Sequence, residues 1–425
     1  MRARRYLLLA LFFLVSASPC LCAGESLTWE QCVRETREAH PDLHVALALL
    51  QQADADKRIT AGSRLPHLSL SATVQQDGTS EKGGGSSMAR SYSLSADQLL
   101  YDGQKTSRQV ASNAEAIKAA QYNYRVVSAD VRFALRSAFT ELLQAQELLG
   151  LTGEIAERRE RNVRLISLRY QGGREHIGAL RQAQADLAQA EFEVTQAGRA
   201  VALAQAKLAS ALGRDLHQPL RVQGSFTGGD HLFEKPDFQQ LAKNNPLFQQ
   251  LDTRSKAARY DLDAARSAFS PELYLSSSVG KSSVERWPFD AVDWSAGLRI
   301  AVPIYEGGSG RARVSKAMAV VSQQSAQEKS GYLQIFDTLE ESWKNFLDAR
   351  EMVVVKKKFL DAAVERSAIA NAQYSNGLIT FNDWVIIENN LVTAKKSYLN
   401  AGADLLIAEA QWIHAKGGGL DGQQE

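Results

Sequence analysis

The amino-acid sequence contains one pattern twice, with copies about 204 residues apart. Pro66 reappears as Pro271, 205 residues later, and residues 170–173 (YQGG) reappear as residues 374–377 (YSNG), 204 residues later. Because this spacing stays nearly constant over half the chain, the sequence is a duplicated unit. Any fold that it adopts must therefore build the same architecture twice.

The repeat suggests how the 425 residues divide. We predict a signal peptide over residues 1–23, a first structural repeat over 24–218, a linker over 219–236, a second repeat over 237–416 and a polar C-terminal tail over 417–425. Residues 67–218 and 304–425 contain no proline. Since proline breaks helix interiors, these two stretches can hold very long helices.

Each repeat has the same order of predicted elements. A helix over about residues 28–63, recurring over about 237–269, precedes two runs in which apolar and polar residues alternate, the signature of strands. Glycine turns, at Gly103 and at Gly307 and Gly308 after Pro303, then open a long helix and a returning helix. The first long helix, about residues 104–169, would span roughly 100 Å.

Apolar positions recur every seven residues in the returning helices. These positions are Leu180, Leu187, Val194, Val201 and Leu208, then Trp384, Leu391, Tyr398, Leu405 and Trp412. Three residues after each position of the first repeat stands an alanine, which allows a neighbouring helix to approach closely. A strict seven-residue repeat predicts a left-handed coiled-coil seam, although an ordinary soluble coiled coil would share it.

The amino terminus has the order of a secretory signal peptide. Three arginines in residues 1–5 precede an apolar run over residues 6–15 and a small-residue region that ends at Ala23. Lipidation at Cys20 or Cys22 is the alternative, but Pro19 and Leu21 stand where a small residue is required. The pattern favours cleavage after Ala23 and export.

Charge and motifs exclude several functions. Lys and Arg total 49 against 48 Asp and Glu, which excludes a strongly basic nucleic-acid binder. His40 and His44 are four residues apart, as two metal ligands on one helix would be, but Pro41 interrupts the helix between them. Residues 308–310 (GSG) resemble the start of a phosphate-binding loop but lack its third glycine and its lysine–Ser/Thr pair. We predict no enzymatic activity, no cofactor and no metal.

The predicted strands are long enough for a membrane, whereas no mature segment has the roughly 20 apolar residues of a membrane helix. Four strands cannot close a barrel alone, so the chain must expose sheet edges or oligomerise. Trp287, Trp294 and Tyr305 fit interfacial aromatics and core aromatics equally well.

Four segments carry a family resemblance. They are residues 27–31 (LTWEQ), 64–70 (RLPHLSL), 302–308 (VPIYEGG) and 374–379 (YSNGLI). With the duplicated unit, they resemble the TolC-type outer-membrane factors of Gram-negative bacteria over essentially the whole mature chain. The resemblance implies a mainly α fold with a small β portion, in which three chains share a periplasmic α-barrel and a 12-stranded outer-membrane β-barrel.

The resemblance also implies partners and a function. Such homotrimers are passive exit ducts for efflux pumps or type I secretion systems, and periplasmic adaptor proteins connect them to an inner-membrane transporter. Adaptors dock at the hairpin tips, here Gly172, Gly173, Arg174, Gly377 and Leu378. A periplasmic coiled-coil scaffold or adaptor without a pore is the alternative.

The same resemblance implies a periplasmic gate near the second tip. Tyr374 and Asp383 match gate positions of the family, and three copies of Asp383 would form a carboxylate ring that favours cations. A solvated helix carboxylate is the alternative for Asp383. Ile379 stands where an arginine can occur in the family, and Ile386 stands where a second aspartate can occur. This departure argues against a constriction with two acidic rings, and a constriction formed by Ile379 or Ile386 is the competing hypothesis.

Overall fold

The computed structural model describes residues 25–78, 86–215, 219–226, 235–281 and 292–421. The predicted signal peptide with Cys20 and Cys22, and Trp287, lie outside these residues. The described elements are, in chain order, β1 (Glu25–Leu27), α1 (Trp29–Ala39), α2 (Pro41–Gly62), β2 (His67–Gly78), β3 (Ser86–Tyr101), α3 (Lys105–Gln171), α4 (Ile177–Leu212), β4 (Leu220–Val222), α5 (Phe238–Asn244), α6 (Pro246–Ser267), β5 (Glu272–Lys281), β6 (Asp293–Ala301), α7 (Ser309–Ser375) and α8 (Phe381–Ala415).

The two halves of the chain repeat one order of elements. Each has two short helices, two long strands, a 67-residue helix and a returning helix. At about 1.5 Å per residue, α3 and α7 each extend roughly 100 Å. This order confirms the predicted fold class, a mainly helical tandem repeat with a small β portion.

The helix predicted over residues 28–63 is wrong in one respect, because it is two helices. His40 has an extended backbone (φ −71°, ψ 124°), and Pro41 is the first residue of α2. Proline disfavours a helical conformation in the residue before it, so α1 ends there. The second repeat breaks in the same way, with Asn245 extended before Pro246.

Two short strands were not predicted. The three-residue strands β1 and β4 pair in parallel, with Leu27 opposite Val222, and β4 lies inside the segment predicted as a linker. Leu27, Leu220 and Val222 are all buried, in a core that includes Leu135 and Leu142 of α3. Three residues are too few to display an alternating pattern.

The four long strands form one antiparallel sheet in the order β2-β3-β5-β6. An apolar row crosses all four strands on one face: Leu70, Leu94, Val279 and Trp294. A row of serines crosses the other face: Ser69, Ser95, Ser278 and Ser295. On the single chain, Leu70 is 77% exposed and Trp294 is 79% exposed. The sheet thus presents an uncovered apolar face and a hydroxyl face.

The helices pack along their whole length. The helix α3 contacts α2 and α6 near the sheet and α4 and α8 further on, while α7 contacts α6 and α8. Four of the five alanines at the close-approach positions of α4 are buried, namely Ala183, Ala190, Ala197 and Ala204, and the fifth, Ala211, is partly buried. Among the described residues, no helix has the length and apolar character needed to cross a membrane.

Candidate functional site at the hairpin tips

The two helical hairpins end at residues 172–176, between α3 and α4, and at residues 376–380, between α7 and α8. Both long helices start beside the sheet and run to these tips, so the tips lie at the opposite end of the molecule. Each returning helix starts at a capped residue. The ring of His176 accepts a hydrogen bond from the Ala179 amide at 3.2 Å, and the hydroxyl of Thr380 accepts one from the Asp383 amide at 3.2 Å.

Glycines close both long helices. Gly173 (φ +69°) and Gly377 (φ +76°) adopt the left-handed conformation expected of a helix end. The amides of Arg174 and Leu378 each donate to the carbonyl five residues earlier, at 2.8 and 2.9 Å. These contacts satisfy carbonyls that the helices leave open, so the tips are defined turns.

The predicted docking residues lie on the outside of these turns. Gly172, Gly173, Arg174, Gly377 and Leu378 are all exposed. Leu378 is 72% exposed.

Tyr374 is the centre of a buried aromatic cluster behind the second tip. It is 1% exposed, and its ring stacks on the ring of Trp384 with centroids 4.6 Å apart and planes within 7°. The guanidinium of Arg169, from α3, lies 4.5 Å from the Tyr374 ring centroid and also donates to the Tyr374 carbonyl at 2.9 Å. The cluster therefore joins the two hairpins.

The hydroxyl of Tyr374 adds a second link between the tips. It donates to the carboxylate of Glu175 at 2.8 Å, so residues 199 positions apart meet across the two turns. Burial raises the pKa of Tyr374 well above its ordinary value of 10.0, and the hydrogen bond to Glu175 acts in the same direction. The phenol is neutral at physiological pH and remains a donor.

A buried ion pair lies further along the helices from the tips. Glu388 of α8 is 2% exposed, and its carboxylate is 2.6 Å from Nε of Arg158 on α3. Ser367 of α7 donates to the same carboxylate at 2.6 Å, and Asn371 donates at 3.3 Å. A buried charge costs several kcal/mol unless it is paired and hydrogen-bonded, and this carboxylate is both.

The aromatic cluster and the ion pair form one connected unit. The indole N–H of Trp384 donates at 2.8 Å to the side-chain oxygen of Asn371, whose amide group also reaches Glu388. Beside them, Arg159 donates to Asn389, again from α3 to α8. The helix α8 is thus fixed to α3 through polar side chains as well as packing.

Tyr374 and Trp384 were singled out from the sequence, whereas Glu388 and its partners were not, although one signal for Glu388 was present. Glu388 is a charge within the seam of α8, four residues after Trp384 and three before Leu391. A carboxylate at such a position predicts a buried partner. The partners Arg158, Arg169 and Glu175 carry no pattern of their own, because they lie on the other repeat.

The four predicted gate residues separate into two pairs. Tyr374 belongs to the buried cluster, and Ile379 is partly buried against it. Asp383 and Ile386 are exposed and stand one turn apart on α8, where they share a face. The carboxylate of Asp383 also accepts a hydrogen bond from the Thr380 hydroxyl at 2.7 Å.

The strand-to-helix turns lie at the sheet end. Gly103 (φ +64°), Gly307 (φ +61°) and Gly308 (φ +86°) all adopt left-handed conformations, and Pro303 follows the last residue of β6 by two positions. A Cβ on Gly103 would approach Cβ of Ser270 to 2.1 Å. These residues shape the turns and stand far from the tips.

The two ends of this elongated chain differ in character. A sheet with one apolar face occupies one end, two long hairpins with exposed turns form the other, and within the described residues no group of three or more acidic, histidine or cysteine side chains could hold a metal. The sequence profile of the outer membrane efflux protein family matches residues 32–214 and 238–418. The chain therefore belongs to the family of outer membrane efflux proteins.

Individual relatives agree over nearly the whole chain. The probable outer membrane lipoprotein SilC of Salmonella typhimurium is 23% identical, over 91% of this chain and 85% of SilC. The outer membrane protein OprJ of Pseudomonas aeruginosa is 24% identical, over 89% of this chain and 81% of OprJ. A crystal structure of CusC superposes with a TM-score of 0.83 at 18% identity, covering 91% of both chains. The fold is therefore that of the outer-membrane channels.

Proposed function

We propose that three copies of this chain form the outer-membrane exit duct of a tripartite efflux pump or a type I secretion system. The duct conducts passively, and its partners are a periplasmic adaptor and an inner-membrane transporter that supplies the energy. The duplicated long-hairpin fold, with a two-faced sheet at one end, is the observation that carries this proposal.

The sheet supports membrane insertion as a trimer. Within the described residues, its outer strands β2 and β6 each have one unpaired edge, and its apolar face is uncovered on the single chain. Three sheets joined edge to edge would contain twelve strands and close a barrel without free edges. The apolar row of Leu70 and Trp294 would then face lipid, and the serine row would face the lumen.

The tips support adaptor docking. Gly172, Gly173, Arg174, Gly377 and Leu378 are exposed at the end of the molecule that would extend furthest into the periplasm. The turns are fixed by their backbone hydrogen bonds, so a partner would meet a preformed surface. Leu378 is the apolar residue that such a partner would cover.

The periplasmic constriction would be built from the two pairs of predicted gate residues. Asp383 and Ile386 share an exposed face of α8, so a trimer would present a ring of each. Tyr374 and Ile379 would support α8 from behind, where Tyr374 stacks on Trp384 of α8 and its hydroxyl ties the second tip to Glu175 of the first. The ring would have one carboxylate and one apolar side chain per chain, not two carboxylates.

We infer that the mature protein resides in the outer membrane of a Gram-negative bacterium and extends into the periplasm. Cleavage after Ala23 remains the expected processing. Because SilC is named a probable lipoprotein, lipidation at Cys20 or Cys22 remains the alternative. Mass spectrometry of the mature amino terminus distinguishes the two.

Membrane fractionation tests the proposed duct against a periplasmic scaffold. We expect the protein to stay in the outer membrane through salt and urea washes and to migrate as an SDS-resistant trimer that dissociates on heating. A scaffold would leave with the washes. Cross-linking the trimer in cells would then identify the adaptor.

A further inference from the structure

A cavity of about 520 Å³ lies at the junction of the two repeats. Its wall combines α1 and α3 of the first repeat with α7, α8 and residues 416–418 of the second. A volume of this size accommodates a small organic molecule. The hairpin tips and the proposed gate are elsewhere in the molecule.

The lining of this junction cavity carries an excess of positive charge. Arg132, Arg136 and Lys416 line it, and Glu409 is the single carboxylate among the described lining residues. His414 also lines the cavity, but its ring nitrogen contacts the carboxylate of Asp130 at 2.6 Å. The lining itself thus holds three basic side chains and one carboxylate; the guanidinium of Arg132 also donates to the Gly419 carbonyl at 3.0 Å.

Aromatic rings flank these cations. The guanidinium of Arg136 lies 4.7 Å from the ring centroid of Trp29, and the ammonium of Lys416 lies 5.5 Å from that of Trp412. Phe133 and Phe346 complete the aromatic part of the wall. The wall thus offers flat apolar surfaces beside positive charge.

Arg136 has no ion-pair or hydrogen-bond partner within the part of the chain that the structure describes, apart from its contacts with aromatic rings. Burial lowers the pKa of Arg136, the carboxylates of Glu409 and Glu30 act to raise it, and the charge of Arg132 acts with burial. Burial and Arg132 likewise lower the pKa of Lys416. Arg132 thus repels both Arg136 and Lys416, and an anion brought beside these partly buried cations would stabilise their charged forms.

We propose that the junction cavity binds a small organic anion, namely a carboxylate or phosphate joined to a planar or apolar group. The anionic group would contact Arg136 and Lys416, and the planar group would lie against Trp29 and Trp412. Charge-assisted contacts from guanidinium groups suit both anions. A bound anion would contact both repeats and hold them together.

Calorimetric titration of the purified full-length protein, in the oligomeric state in which it is isolated, tests the proposal. The probes are phenyl phosphate, benzoate, inorganic phosphate and phenol. We expect saturable binding of phenyl phosphate or benzoate, weaker binding of inorganic phosphate and no binding of phenol at the same concentration. The relative affinity of the first two probes identifies the preferred anion. Quenching of tryptophan fluorescence that Trp29→Phe reduces would locate the probe in the cavity.

Charge-changing variants show whether the cations recognise the probe. Arg136→Gln should weaken binding by about tenfold, the loss of one charge-assisted contact. Glu409→Gln removes the opposing carboxylate and should strengthen binding severalfold. The control is Arg161→Gln, which removes an exposed guanidinium from the same helix, α3, and should leave the affinity unchanged.

The proposal is overturned if neither aromatic anion binds, which would mean that the cavity is closed or filled by another copy of the chain. It is also overturned if phenol binds as well as phenyl phosphate. Equal affinities for Arg136→Gln, Glu409→Gln and Arg161→Gln would contradict it too. If Arg136→Gln fails to fold, the increase in affinity expected of Glu409→Gln still tests the proposal.

Discussion

The partly exposed guanidinium of Arg158 on α3 forms an ion pair with the buried carboxylate of Glu388 on α8, with Nε and Oε2 2.6 Å apart. The two residues belong to different repeats and are 230 positions apart. Separation of α8 from α3 would leave a buried carboxylate without its counter-charge. The pair therefore holds the two hairpins together close to the tips.

We expect Arg158→Leu to lower the free energy of unfolding by about 3–5 kcal/mol, because it leaves Glu388 buried and unpaired. Denaturant or thermal unfolding of the purified protein measures this. The matched control is Lys395→Met, which breaks the exposed α8-to-α3 pair with Glu154 and should cost less than about 1 kcal/mol. The double variant Arg158→Leu with Glu388→Leu should regain part of the loss. An equal effect of Arg158→Leu and Lys395→Met would contradict this account.

The raised pKa of Tyr374 predicts a loss of stability in alkaline solution. The folded state holds the phenolic proton more tightly than the unfolded state, so the stabilisation is complete below pH 10 and declines as pH rises above it. Tyr374→Phe should flatten this decline when unfolding is followed from pH 8 to 12. Tyr305→Phe, at an 86% exposed tyrosine, should leave the decline as in the wild type. A steep alkaline decline that persists in Tyr374→Phe would show that Tyr374 does not cause it.

The glycine at the second tip should resist substitution for reasons of backbone conformation alone. Gly377 has φ +76° with open space around its Cα, so Gly377→Ala should destabilise the protein by about 1–2 kcal/mol. Gly150, in the middle of α3, also has open space around it, and Gly150→Ala should stabilise the protein by roughly 0.5–1 kcal/mol. Thermal unfolding of both variants gives the sign of the change in stability for each substitution. The same sign for both would contradict the conformational explanation.

If Asp383 lines the constriction, its charge should control ion selectivity. Asp383→Asn keeps an acceptor for the Thr380 hydroxyl but removes the charge, so cation selectivity in a planar bilayer should fall while stability changes little. Asp361→Asn removes an exposed carboxylate of α7 that pairs with Lys357, and it should leave selectivity unchanged. Unaltered conductance, selectivity and antibiotic sensitivity in Asp383→Asn would exclude Asp383 from the constriction.

The repeat and the periodic patterns predicted most of the architecture. The alternation around Leu70 gave the strands, and the alanine row that includes Ala190 gave the close approach of α4 to its neighbour. Both signals are local, since each arises from one face of a single element. The break at Pro41 was also visible in the sequence, but the prediction treated the proline as part of one helix.

The cross-repeat contacts could not be predicted from such patterns. Glu175 meets Tyr374, and Arg158 meets Glu388, only because the two hairpins lie side by side at a particular axial register. One sequence contains no signal for that register. The pairing of β1 with β4 was not predicted either, because three residues per strand are too few to show an alternating pattern.

Assembled copies of this chain should form a conducting pore in a membrane. Single-channel recording after reconstitution of the purified trimer into planar bilayers measures this. We expect discrete conductance steps that depend on the trimer and disappear when heating dissociates it. A folded, SDS-resistant trimer that enters the bilayer and never conducts would show that the chain does not form a pore.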